Sequence, residues 1–245
     1  MQDLIFLNSN QFFDDNPDSL GFAGLMAAWT TPYLRARPNL GPMEQSTVRA
    51  EGEGLHNGGK TIIPLTLTSA HSSGLDIIAG RTYNLEGLIH KCDDGITTAF
   101  HLEGSRANRE VCTGEVIDLG PLTIGGVGSI AKASVKFAGK NRKPLWELIV
   151  VHGPMVSTFN PGKCTEGSHA LCFSKMDRTS SVRLRYLLSV DDLDVPLNTN
   201  FKIGSRIHLI GGLDSIGATT DLMVVNVSFA MALGLKLLAD PDSGR

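Results

Sequence analysis

The chain has 245 residues, of which 42% are hydrophobic and 19% are charged, a composition that excludes an extensively disordered protein. Its net charge of −3 supplies no overall positive field that would attract nucleic acid or anionic membranes, so any such binding must come from a local patch. The length suits one large β domain or two ordinary domains, and the 27 glycines and 11 prolines suit many short strands.

The two ends of the chain and its four cysteines indicate the compartment. Met1 to Leu7 is apolar but contains Asp3 and no basic region, so we predict no secretory signal. The apolar stretch 222–238 is short and contains polar residues, which predicts a buried strand and a tail instead of a membrane span. Without a signal, the four cysteines are expected to be thiols. We therefore expect a cytoplasmic or nuclear protein with no membrane contact.

Residues 1–45 contain several prolines, and the spacing of these prolines excludes a long helix after Trp29. We predict that this segment is a mostly irregular N-terminal extension. Leu20 to Trp29 is its best candidate for a short helix, because Ser19 can cap it and its alanines and methionines favour helix.

From residue 46 onward the hydrophobic pattern has the period of a β-strand. Ile63, Leu65 and Leu67 alternate with polar residues, and Pro64 predicts that this strand lies at an edge or a bulge. Further strands are predicted at 97–102, 145–151, 182–186 and 224–229, the last closing the sheet. The irregular stretch 152–181 suggests a junction, so we predict two β units, at 46–152 and 153–245.

A similar phrase occurs twice, once in each predicted unit. Gly80 to Leu88 and Ser205 to Leu213 align on Arg81 and Arg206, with Leu or Ile four residues later and then Gly-Leu. A strand that contains a glycine bend, used twice, accounts for this pattern.

Small Greek-key barrels begin with a strand, a loop, a strand bent at a glycine and then a hairpin, in that order. On these two phrases the chain resembles the OB-fold family, over residues 60–151 and 180–230. The resemblance implies antiparallel Greek-key barrels, or sandwich units, and a function in binding oligonucleotides; it transfers no specific binding residue.

The strongest candidate site is a basic run. Lys132, Lys136, Lys140, Arg142 and Lys143 lie within twelve residues that contain no acid. Cations follow phosphates and aromatic rings stack on bases, which is the composition of a single-strand groove, although a solvated hairpin tip has the same composition. The predicted binding residues are Lys136, Phe137, Lys140, Arg142, Lys143 and Trp146, with Arg183 and Arg185 as additional phosphate contacts.

Two other groups of residues have side chains that could carry chemistry. Cys164, His169 and Cys172 have spacing close to that of a metal site but need a fourth ligand from elsewhere, such as His152 or Cys112, so we predict no metal and no other cofactor. His90 and Cys92 would point the same way in a strand and could be in contact, but no hydrolase motif accompanies them, which favours a non-catalytic protein.

Three functions remain open at this stage. The first is a binding module for single-stranded nucleic acid or another oligomeric anion. The second is a self-assembling, jelly-roll-like subunit of a capsid or shell, supported by the small net charge, the proline-rich N-terminal arm and the apolar 222–238 run, which would make the chain a homo-oligomer. The third is a small-molecule enzyme or carrier that uses the barrel mouth.

Overall fold

A computed structural model describes residues 20–35, 43–55, 59–70, 77–92, 97–102, 109–112, 118–138, 143–153, 181–191, 193, 195–217 and 222–233. Over these ranges the chain forms twelve strands and no helix, which confirms the predicted all-β class. The strands are β1 (Gly21–Ala28), β2 (Tyr33–Arg35), β3 (Met43–Gly52), β4 (Thr61–Ala70), β5 (Thr82–Lys91), β6 (Thr98–Leu102), β7 (Arg109–Cys112), β8 (Thr123–Ala138), β9 (Lys143–His152), β10 (Val182–Ser189), β11 (Arg206–Ile216) and β12 (Met223–Leu233).

Two sets of five strands each close on themselves with the same topology. In the N-terminal barrel the order is β1, β3, β4, β6, β5 and back to β1, and β4 runs parallel to β6. In the C-terminal barrel the order is β8, β9, β10, β12, β11 and back to β8, and β10 runs parallel to β12. All other pairings within the barrels are antiparallel. This is the five-stranded Greek-key barrel of the OB-fold, used twice, and not a jelly roll.

The strand pairing fixes the register of the internal repeat. Leu85 lies opposite Gly24 in the N-terminal barrel, and Leu209 lies opposite Gly126 in the C-terminal barrel. Gly80 and Gly204 both have positive φ, and both donate a backbone hydrogen bond to the first strand of their barrel, at Ala28 and Ile130. The five strands therefore superpose with constant offsets. The equivalent residues, strand by strand, are Ala28 and Ile130, Val48 and Val150, Leu65 and Leu184, Gly87 and Gly211, and Leu102 and Val227.

The repeat is therefore real, but the alignment on the two arginines is wrong by one residue. Arg81 corresponds to Ser205, and Arg206 corresponds to Thr82. The glycines that follow show the cause, because Gly211 and Gly212 are adjacent and either can be matched to Gly87 in the sequence. Only Gly211 occupies the crowded position opposite the last strand of its barrel.

The two barrels join through their first strands in a locally two-fold arrangement. Phe22 of β1 lies opposite Ile124 of β8, and these two residues are themselves equivalent in the repeat. Beside them, the end of β3 pairs with β11: the Glu53 amide donates to the Leu213 carbonyl at 3.0 Å, and Asn226 Nδ2 donates to Glu53 Oε2 at 3.1 Å. One contiguous apolar cluster extends through both barrels.

The predicted unit boundaries do not follow these pairings. β1 lies in the predicted extension 1–45 but closes the N-terminal barrel, while β8 and β9 lie in the predicted unit 46–152 but belong to the C-terminal barrel. The irregular stretch that suggested a junction falls between the second and third strands of one barrel, and residues 154–180 lie outside the described ranges. Loop composition marks irregular chain, whereas barrel membership depends on hydrogen-bond partners.

The predicted helix over Leu20 to Trp29 is also wrong. β1 has β5 as a partner over seven residue pairs, and its edges also meet β3 and β8. The buried residues Phe22, Met26 and Ala28 face the core. Pairing of this extent overrides the weak helix preference of alanine and methionine.

The prediction that Pro64 lies at an edge agrees with the pairing of its strand. β4 pairs with β6 only from Thr66 onward, so Pro64 has a hydrogen-bonded neighbour strand on one side only.

Candidate nucleic-acid interface

The outer face of the C-terminal barrel brings the two predicted basic groups together. Direct cross-strand partners share a face of a sheet. Lys132 on β8 lies opposite Ile149 on β9, and Ile149 lies opposite Arg185 on β10. On the same outer face, Arg183 lies one row away, opposite Val151, and Lys136 lies two rows away in the other direction, opposite Leu145. Cations from β8 and β10 therefore flank β9.

Glu147 lies at the centre of this outer face and neutralises part of its charge. Its buried carboxylate pairs with the Arg185 guanidinium, lies 3.9 Å from the Lys136 ammonium and accepts a hydrogen bond from Ser134 at 3.4 Å. Arg185 is therefore a compensated, half-buried cation and not the free phosphate contact that was predicted. Over the described residues, no ion pair engages Lys132 or Arg183.

Four of the predicted binding residues lie near the end of β8 and the start of β9. Phe137 is 69% exposed and lies opposite Pro144. Lys143 is exposed and pairs with Asp191 at 3.2 Å. Lys140 and Arg142 lie outside the described residues.

Trp146 is not available for stacking on a base, which corrects the sequence prediction. It is 8% exposed, it belongs to the central core, and its ring meets Phe201 edge to face at a centroid distance of 5.0 Å. Its indole N–H donates to the Pro196 carbonyl at 3.3 Å. Trp146 and Lys143 are three residues apart in a strand, so they point to opposite faces, which the composition of the run could not reveal.

A second cluster lies on the outer face of the N-terminal barrel and was missed by the sequence analysis. Trp29 is 52% exposed, and the guanidinium carbon of Arg49 lies 3.6 Å from its ring centre. Tyr33 is exposed opposite Gln45, whose side-chain oxygen accepts a hydrogen bond from Arg35 at 3.2 Å. Gln45 and Arg49 are four residues apart on β3, so all of these side chains share one face.

This second cluster has no local signature, because its members come from separate elements. Trp29 follows β1, Tyr33 and Arg35 belong to β2, and Arg49 belongs to β3. The pairing of β1 and β2 along one edge of β3 brings them together. The prolines around β2 led to the expectation of irregular chain.

The predicted metal group and the predicted catalytic pair are placed as follows. Cys164, His169 and Cys172 lie outside the described residues. The candidate fourth ligand, His152, is buried with both ring nitrogens engaged, one with the Val127 carbonyl at 3.1 Å and the other with the Tyr186 hydroxyl at 2.8 Å. Burial lowers the pKa of His152 to about 4, so the ring is neutral, donates from Nδ1 and accepts at Nε2. His90 and Cys92 are both buried.

Within the described ranges, no helix is long and apolar enough to cross a membrane. In the same part of the chain, no group of three or more histidine, cysteine or acidic residues is arranged to hold a metal ion.

These features define a protein of two OB-fold barrels with basic and aromatic residues on its outer faces. No family model and no curated protein matches the sequence. Among solved structures, the fold is similar to that of the wild-type single-stranded DNA binding protein from Thermus aquaticus, with 11% identity, a TM-score of 0.53, and 88% of this chain and 93% of that chain covered. A deletion mutant of the Thermus aquaticus protein matches with 12% identity, a TM-score of 0.51, and coverage of 87% and 93%. At sequence identities this low, the structural similarity shows a shared fold and nothing more.

Proposed function

We propose that this chain is a non-catalytic protein that binds single-stranded nucleic acid along the outer face of β8, β9 and β10. The observation that carries the proposal is the row of cations flanking β9. β9 and β10 are the second and third strands of an OB barrel, and that face is the one on which OB-folds bind oligonucleotides. The solved structures that share this fold over most of their length come from a protein named for single-stranded DNA binding.

The expected roles follow from charge and exposure. Lys132 and Arg183 contact phosphates and release counterions on binding, because neither is held in an ion pair among the described residues. Lys136 shares Glu147 and contributes less. Phe137 is exposed, but its partner Pro144 shares a face with Trp146, so the Phe137 ring lies on the opposite side of the sheet from Lys136 and takes no part in this proposal. Lys140, Arg142 and Lys143 extend the groove along the hairpin in this proposal.

The test is a titration of a labelled oligodeoxythymidine, followed by fluorescence anisotropy at several salt concentrations. The wild type should bind with an affinity that falls steeply as salt rises. Removing two phosphate contacts, with Lys132→Ala and Arg183→Ala together, should reduce the slope of log K against log salt by about 1.4. Binding that is independent of salt, or no binding at all, would contradict the proposal.

Lys60→Ala provides the matched control. Lys60 is an exposed cation whose charge is already taken up by Glu51 at 2.5 Å and Asp118 at 2.9 Å. Its removal should leave both affinity and salt slope unchanged. An equal loss in this control would mean that the double variant reports only the net charge of the protein.

Self-assembly is a second candidate, favoured by β12. The strand buries Met223, Val225 and Val227 in the core, but Phe229 and Met231 further along it are more than two-fifths exposed. Light scattering at micromolar concentration tests this candidate, since a monodisperse monomer would remove it.

A further inference from the structure

The two barrels carry different chemistry at equivalent positions of their outer faces. In the repeat register, Arg183 of the C-terminal barrel corresponds to Pro64, and Arg185 corresponds to Thr66. Conversely, the cation Arg49 of the N-terminal barrel corresponds to the uncharged Val151 of the C-terminal barrel. The charged side chains are thus not a duplicated set, and each face has to be interpreted by itself.

The N-terminal face presents an indole that carries a guanidinium over its ring and is about half exposed. The guanidinium of Arg49 stacks on the Trp29 ring at 3.6 Å, while about half of the Trp29 surface stays accessible. The backbone beside it is anchored, because the Trp29 and Thr30 amides both donate to the Thr47 carbonyl, at 2.9 and 3.2 Å. A ring fixed in this way loses little conformational entropy when a second planar group stacks on its free side.

The surroundings of Trp29 favour a base more than a phosphate. Arg49 is occupied by the ring, and Arg35 donates to Gln45. Thr47, whose carbonyl holds the Trp29 amide, and its cross-strand partner Thr66 are uncharged, and the charge of Glu51 further along β3 is paired with Lys60. Cations that are free to follow a backbone lie instead on the C-terminal face.

We infer that the two barrels divide the recognition of a single strand: Trp29 on the N-terminal barrel stacks on an unpaired base, while Lys132 and Arg183 on the C-terminal barrel bind phosphates. This inference rests on the proposed function and adds to it a base-binding subsite. Stacking on Trp29 requires an exposed base but no ion release. Its contribution should therefore depend on the presence of bases and be insensitive to salt.

The experiment compares two labelled probes of equal length, an oligodeoxythymidine and an abasic oligomer with the same sugar-phosphate backbone. The wild type should bind the thymidine probe about 10- to 100-fold more tightly. Trp29→Ala should remove most of this preference and leave the abasic probe and both salt slopes unchanged. Trp29→Phe should keep part of the preference, and Lys132→Ala with Arg183→Ala should lower both slopes while keeping it.

The outcomes separate the inference from the proposed function. Equal binding of both probes by the wild type, with normal salt dependence, would overturn the division of roles and leave single-strand binding intact. Failure of both probes to bind would end the proposed function itself. If Trp29→Ala weakened both probes equally, or if Trp29→Phe restored nothing, Trp29 would have a structural role and the inference would be wrong.

Discussion

Alanine at Gly87 or Gly211 should destabilise the protein strongly, while alanine at the adjacent Gly212 should not. A Cβ atom at Gly87 would lie 2.0 Å from the His101 carbonyl oxygen, and one at Gly211 would lie 2.1 Å from the Asn226 carbonyl oxygen. Both obstacles are backbone atoms of the neighbouring strand, so the strands must separate by more than about 1 Å to restore ordinary contact.

The expected cost at either position is about 3 kcal/mol, at the upper end for added volume in a packed interior. In a chain of this size that corresponds to a fall in Tm of roughly 6–12 °C. At Gly212 the nearest atom is Glu53 Oε1 at 2.8 Å, the end of a side chain that can rotate, so the cost should stay below about 1 kcal/mol. None of the three glycines has a positive φ, so space alone decides the outcome.

Thermal unfolding followed by far-UV circular dichroism measures all three variants under identical conditions. The alignment on the arginines would make Gly212 the counterpart of Gly87, whereas the strand register makes Gly211 the counterpart. A Gly212 variant that is as unstable as the Gly87 variant, together with a stable Gly211 variant, would refute the register and with it the comparison of the two outer faces.

Three further predictions concern buried groups. Trp146→Phe should lower the free energy of unfolding in urea by about 1–2 kcal/mol, because the Pro196 carbonyl loses its donor. The affinity for the oligonucleotide should stay unchanged. A loss of affinity without a loss of stability would show that Trp146 contacts the oligonucleotide after all. The pKa of His152 is lowered to about 4, so the unfolded state binds a proton at a higher pH than the folded state does. The free energy of unfolding should therefore fall by about 3 kcal/mol as pH drops from about 6.5 to 4. His152→Gln should make the free energy of unfolding less dependent on pH over this range. Burial raises the pKa of Glu53, so its contribution to stability is complete below the ordinary carboxyl pKa of about 4.5 and is lost as pH rises through the raised value. Glu53→Gln should make the unfolding free energy less dependent on pH above that ordinary value, and an unchanged profile would contradict this.

Local patterns predicted the strands of this protein well and their partners poorly. Alternation predicted the buried face of β4, and the strands predicted at 97–102 and 182–186 correspond to β6 and β10. The same patterns could not place β1, whose small side chains suit a helix equally well until strands pair along both of its edges. Periodicity reports which residues share a face, but not what that face meets.

Likewise, the sequence predicted one part of the candidate site and missed another. The basic run on β8 was visible because its members are close in sequence, and the alternation of a strand places Lys132 and Lys136 on one side of the sheet. The stacked pair of Trp29 and Arg49 was not visible, because twenty residues and a short strand separate its members. Contacts of this kind depend on long-range strand pairing.

By itself, the sequence determined an all-β chain, a twice-used strand with a glycine, and a basic hairpin with no acids, since each of these depends on near neighbours. Only the tertiary structure decided that Trp146 points into the core, that Glu147 neutralises Arg185, and that the repeat aligns on Gly87 and Gly211. The physical reason is barrel closure: it assigns an inside and an outside to every strand and selects one register through hydrogen bonds between distant residues.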